Sequence, residues 1–177
     1  MIVFCAIYLI VRAIKESRRA KLVNFCTYGQ DTSCETVINN IDYKGLEVHR
    51  FTLCSYFRKI IDKGNIEQVD ALYWSWQSVS NSKKKDLCRQ TFKRAIIATN
   101  SSILATIVTT GLTSQKSGLQ LGLVDVILSI LAETPMSRRD EFFIKMISKF
   151  EEFLLTEPDR TGFVSVMKFK IKKDLCL

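Results

Sequence analysis

The chain has 177 residues, of which 47% are hydrophobic and 25% charged, and it carries a formal net charge of +8. That balance excludes general disorder, and the length supplies one domain, or two small packed halves of one, with ample chain for a core. Glycine (7) and proline (2) are scarce, which argues against a barrel or sandwich of many short strands and for long helices.

Periodicity and capping signals predict helices over 2–23, 33–41, 46–63, 66–79, 83–99, 101–110, 118–132 and 138–155. The expected fold is all-α, a compact helical bundle of about eight helices in two halves, 1–99 and 100–177. The first helix opens on an apolar run, Ile2 to Val11, followed by Arg12, Lys15, Arg18, Arg19 and Lys21. The run is too short for a membrane span, which needs about 20 apolar residues. Its charges follow the apolar stretch, whereas a secretory signal has them in front. Residues 2–11 are therefore expected in the core or against a partner subunit, with peripheral attachment to a membrane as the other reading. Arg12, Lys15 and Arg19 share one face at i, i+3 and i+7.

Thr32…Glu35 and Asn65…Gln68 have capping-box spacing, and Gly64 fits a helix stop. His49 falls on the face of Leu46, Leu53, Tyr56 and Ile60 and reads as a core or core-edge histidine. Over 66–79, Ile66, Val69, Leu72, Tyr73, Trp76 and Val79 form one apolar face. Trp74 lies off that face, available to stack on a base or simply on the surface.

The stretch "NSKKKDLCRQTFKRAI" (81–96) places Lys83, Lys84 and Lys85 in a first helical turn, after the N-cap residues Asn81 and Ser82. A helix start is already positive, so each cation there costs about 0.3–1 kcal/mol. Lys85, Arg89 and Lys93 then follow at i, i+4 and i+8, one stripe with about 6 Å of rise per step. Arg94 adds a further cation. Evenly spaced cations on a rigid helix suit a phosphate backbone, which they follow without reading bases. A polyanion would explain why the lysines stand at the wrong end of the dipole.

Residues 118–132 are apolar nearly all round, so the helix must be covered by the bundle centre or by another subunit; Gly118 and Gly122 would permit close helix contact. With the first ten residues, this surplus of apolar surface predicts a closed homo-oligomer. Ser137…Asp140 is an acidic variant of the capping box. Arg138, Lys145 and Lys149 are interleaved with Glu141 and Glu152 and read as a solvated face. "TEPDRTG" (156–162) reads as a loop. "FVSVMKFKIKK" alternates like a strand, but in a helical chain a lone strand lacks a partner, so helix is preferred.

The charge is segregated. Residues 1–25 carry +4, 83–94 carry +5 and 163–177 carry +3, leaving −4 for the remainder. Such segregation is the footprint of a polyanion binder. Nothing in the sequence suggests chemistry: one histidine, no Cys-x-x-Cys pair among six cysteines, no Gly-rich phosphate loop and no nucleophile elbow. The chain is expected to have no catalytic residues, no metal, no cofactor and no small-molecule substrate. Its cysteines read as buried thiols of a reduced, cytoplasmic protein.

With "SKKKDLCRQTFKRA" and "VRAIKESRRAKL" on a short, basic, helical chain, the sequence resembles the small RNA silencing suppressor of closteroviruses, of the beet yellows virus type. The resemblance lies in size, charge and helical character over the whole chain. It implies a viral protein of the host cytoplasm that assembles into a ring and sequesters small duplex RNAs without reading sequence. The candidate RNA-binding residues are those of the stripes: Arg12, Lys15, Arg19, Lys83, Lys84, Lys85, Arg89, Lys93 and Arg94. The rival reading is a viral helical interaction protein, an apoptosis-regulator-like bundle gripping a partner helix in an apolar groove. The Asn-Trp-Gly-Arg signature of that family is missing from "YWSWQS".

Overall fold

The computed structural model describes residues 7, 10–13, 34, 38, 46–114 and 120–177. Among them every regular element is helical: α1 (Leu46–Ile61), α2 (Ile66–Gln77), α3 (Ser82–Ala98), α4 (Ser101–Thr113), α5 (Gln120–Ala132), α6 (Met136–Thr156), a 3-10 turn (Pro158–Arg160) and α7 (Thr161–Asp174). The all-α class is therefore observed. The chain divides into two compact units, one of residues 1–57 with 71–92 and the other of 58–70 with 93–177. The sequence-based halves, 1–99 and 100–177, place a single cut between helices; the contact-defined units interleave, and α1, α2 and α3 each contribute to both.

In the first unit the core is aromatic. Phe57 meets Phe92 edge-on with ring centroids 6.5 Å apart, and Tyr73 and Trp76 are perpendicular at 5.4 Å. Leu53, Tyr56, Leu72, Leu87 and Cys88 are buried with them. The 3.6-residue period does the sorting: Leu72, Tyr73 and Trp76 point inward, while Trp74 is half-exposed against Tyr73. Val79, assigned to the same face, lies beyond the end of α2 and is only half-buried. The side chain of His49, the Thr32…Glu35 box and most of helix 2–23 lie outside the described residues. Ile7, Ile10 and Val11 are described and are exposed, so these three do not pack into the chain's own core.

In the second unit α4 packs most extensively against α6, with α5 beside both and α7 against α5 and α6. Phe142, Met146 and Phe150 recur every fourth residue on α6 and are fully buried. The apolar helix α5 is covered by its own chain over its described side chains: Leu123, Val124, Ile127, Leu128, Ile130 and Leu131 are buried, and among those described only Gly122, Asp125 and Ser129 are exposed. The oligomer expectation therefore loses its support from α5.

Several boundaries move for local reasons. Asn65 caps α2, its Oδ1 accepting from the Gln68 amide at 3.1 Å, and Gly64 ends the preceding turn at φ +68°. The Ser137…Asp140 box does not form. α6 starts earlier, at Met136, because Pro135 stands extended before it and its carbonyl accepts from the amides of Arg138 and Arg139. The "TEPDRTG" loop contains the 3-10 turn, and the Thr161 hydroxyl donates to the Pro158 carbonyl as α7 begins. Residues 163–173 are helical, with Val164, Ile171 and Leu175 buried and Phe169 outside. Leu177 and Cys176 close α7 by donating to the Lys172 and Lys173 carbonyls, a Schellman motif whose left-handed position is Cys176 at φ +54°.

Close helix approach is found at Gly111 rather than Gly122, while Gly118 lies outside the described residues. A Cβ on Gly111 would stand 2.9 Å from Val124 Cγ2, whereas one on Gly122 would meet nothing within 4 Å. Val124 is β-branched and has little rotamer freedom to yield. Gly122→Ala should thus raise unfolding free energy by about 0.5–1 kcal/mol. Gly111→Ala should lower it, because overpacking costs about 1–3 kcal/mol against a smaller propensity gain. Chemical denaturation of the pair checks both signs.

Candidate nucleic-acid interface

α3 forms because Leu87, Cys88, Thr91, Phe92, Ala95 and Ile96 fall on one helical face, and all are buried. Asn81 caps it: its Oδ1 accepts from the Lys84 amide at 3.0 Å and its carbonyl from the Lys85 amide at 2.9 Å. The opposite face is exposed and comprises Lys83, Asp86, Arg89, Gln90, Arg94 and Ile97, with Lys93 half-buried at its edge. From Lys83 to Arg94 this face runs about 16 Å along the axis.

Each predicted stripe residue has a distinct environment. The Lys85 ammonium turns back and donates to the Gln77 carbonyl at 2.7 Å, capping the C-terminus of α2. Arg89 makes an exposed ion pair with Asp86 at 3.2 Å. Lys93 pairs with Glu133. Lys84 is half-buried beside Cys88, whereas Lys83 and Arg94 are exposed. Arg12 is exposed on helical backbone, and Lys15 and Arg19 lie outside the described residues. The regular stripe of Lys85, Arg89 and Lys93 is thus not a uniform solvent-facing row. The outward set is Lys83, Arg89 and Arg94, with Lys93 at its margin.

Two arginines do work that the sequence reading did not assign to them. The Arg138 guanidinium, on a side chain only 22% exposed, donates to the Thr99 carbonyl at the end of α3, to the Ser101 hydroxyl and to Glu141. Arg139 donates to the Leu175 carbonyl, the C-cap of α7, at 2.6 Å. The pattern matches Lys85: a cation in the first turn of one helix satisfies a carbonyl at the C-terminus of another. Arg138 therefore does not belong with Lys145 and Lys149 as solvated charge. The available signal was the same anomaly that marked the lysines, basic residues at a helix start.

Burial pushes the Cys88 thiol up to about 12, against a smaller opposing pull from the Lys84 charge. Cys34 is raised as well, chiefly by burial, although the Tyr56 hydroxyl donates to its sulfur. Both thiols stay protonated at neutral pH and are poor nucleophiles. Among the described residues no three His, Cys, Asp or Glu side chains are grouped to hold a metal. Comparison of the chain with protein families, characterised proteins and solved structures finds no match.

The cross-helix caps generate a stability prediction. Arg138→Ala leaves the Thr99 carbonyl without its charged donor and should lower unfolding free energy by about 1.5–3 kcal/mol. Lys145→Ala, on an exposed position of the same helix, should stay within about 0.5 kcal/mol of the parent. Urea denaturation of the two variants provides the comparison.

Proposed function

We propose that this chain is a sequence-independent RNA-binding protein, resembling a viral suppressor of RNA silencing that sequesters small duplex RNAs on a basic surface of an oligomer. In this reading it works in the host cytoplasm, without catalysis, cofactor or small-molecule substrate, and assembles as a closed homo-oligomeric ring. The observation that carries the proposal is the outward face of α3, where Lys83, Arg89 and Arg94 are exposed on one rigid helix with Lys93 beside them. The segment 83–94 holds six cations against one acid.

Spacing and rigidity favour phosphates over bases. Along the helix axis Lys83, Arg89 and Arg94 offer donors at successive intervals of about 9 and about 7.5 Å, and no aromatic side chain lies among them to stack a base. Arg12 joins the candidate set as an exposed cation of the N-terminal segment. Lys85 falls outside this set, because its ammonium is committed to Gln77. Oligomerisation is supported by the exposed apolar side chains Ile7, Ile10 and Val11 at helical spacing.

The expected behaviour is log-linear loss of affinity with salt and little difference among duplexes of unrelated sequence. Lys83→Ala, Arg89→Ala and Arg94→Ala combined should weaken binding uniformly, flatten the salt slope by roughly 0.7–0.9 per lost contact, and leave folding intact. Gel shifts over a salt series, run beside light scattering of the free protein, test this. Binding that follows one sequence or survives high salt contradicts RNA-phosphate recognition, and a monomer at micromolar concentration contradicts the ring.

A further inference from the structure

The third basic segment, residues 163–177, is not absorbed by the RNA reading, and it combines its charge with exposed apolar surface. α7 buries Val164, Ile171 and Leu175, which share one side of the helix. The opposite side bears Val166, 61% exposed, and Phe169, 73% exposed. They stand at i and i+3, so they are neighbours on the outward face. Lys170, Lys172 and Lys173 are exposed around them, and Lys168 is half-buried.

The lysines alone have an internal explanation. Lys172 and Lys173 occupy the last turn, where cations suit the helix dipole, and Lys170 reaches Asp125 at 3.4 Å. Among the described residues no contact explains why the outermost positions are phenylalanine and valine rather than polar residues. A phosphate backbone makes no use of them either. The combination of an outward aromatic, an outward aliphatic and a surround of lysines fits a surface that is both anionic and apolar just beneath.

We propose that the outward face of α7 is a peripheral docking surface for an anionic lipid bilayer. Phe169 and Val166 enter the headgroup region while Lys170, Lys172 and Lys173 meet lipid phosphates and carboxylates. The attachment is interfacial. No single helix among the described residues is long and apolar enough to cross a membrane. The inference is independent of RNA binding by α3.

The protein supplies its own control. Ile144, 63% exposed, and Leu155, 86% exposed, are as accessible as the α7 pair. They stand on α6 among exposed Asp140, Glu141, Glu151 and Glu152, with Lys145 the one exposed cation between them. Glu141 and Glu152 are paired to Arg138 and Lys149, so this face lacks the surround of exposed lysines that α7 has. General stickiness would involve both faces, whereas bilayer docking selects α7.

The test is co-sedimentation of the full chain with phosphatidylcholine vesicles, with and without phosphatidylserine. The chain should bind only the serine-lipid vesicles. Exchanging Lys170, Lys172 and Lys173 for Gln should weaken that binding about a hundredfold, at roughly fivefold per lysine. Phe169→Ser with Val166→Ser should weaken it about tenfold, with circular dichroism and duplex-RNA gel shifts unchanged. Ile144→Ser with Leu155→Ser should bind vesicles like the parent. Absence of binding to phosphatidylserine vesicles overturns the proposal. So does vesicle binding that ignores Phe169 and Val166, equal loss in the α6 control, or loss of RNA binding in the α7 apolar variant, which would assign this face to RNA.

Discussion

Helix C-termini leave carbonyls without partners, and among the described residues three of them are satisfied by cations from the starts of other helices. Lys85, at the beginning of α3, closes α2 at Gln77; Arg138, at the beginning of α6, closes α3 at Thr99; and Arg139 closes α7 at Leu175. A basic residue at its own helix start is unfavourable, but the same charge aimed at another helix's negative end recovers more than it loses. A charged hydrogen bond contributes about 1.5–3 kcal/mol, against about 0.3–1 kcal/mol for the dipole conflict. The connections between these helices are short, and glycine is rare, so conventional glycine caps are few. Arg138 links the helix α4 and the end of α3 to α6 in one stroke, because its guanidinium reaches both Thr99 and Ser101.

This arrangement divides the positive charge by task. Cations facing inward or backward from helix starts hold the fold, and those facing outward on α3 remain available to a polyanion. Segregated charge is therefore insufficient by itself to locate a binding surface. Lys85 and Arg89 are one helical turn apart and look equivalent on a helical wheel, yet one addresses a carbonyl and the other solvent with only an exposed partner, Asp86. Such an exposed i, i+3 pair is worth little and yields readily to a phosphate.

Elements governed by local periodicity were legible in the sequence. The inward face of α2, the cap at Asn65, the stop at Gly64 and the amphipathic course of α3 all follow from residues within two turns of one another. Interactions across distance were not. Arg138 and Thr99 are 39 residues apart, so the cap between them exists only once the helices have packed. The same holds for Gly111: small residues at 118 and 122 advertised close contact, but only the packed geometry shows that Val124 and Ile66 crowd residue 111. The helix preferred over a strand at α7 is also observed, and its helical course sends Phe169 outward although alternation groups it with Met167 and Ile171. The stripe at α3 was half legible: its residues are helical and aligned, and their partners Gln77 and Glu133 come from neighbouring elements.

The central claim is that neighbouring cations on α3 do different work, and single alanine variants of Lys85 and Arg89 test it directly when each is measured for unfolding free energy and RNA affinity. Lys85→Ala is predicted to lose about 1 kcal/mol of stability or more while keeping its RNA affinity and salt slope. Arg89→Ala is predicted to keep its stability within about 0.5 kcal/mol while binding RNA more weakly with a flatter salt slope. A Lys85→Ala protein as stable as the parent but impaired in RNA binding, beside an Arg89→Ala protein that binds normally, would contradict the account.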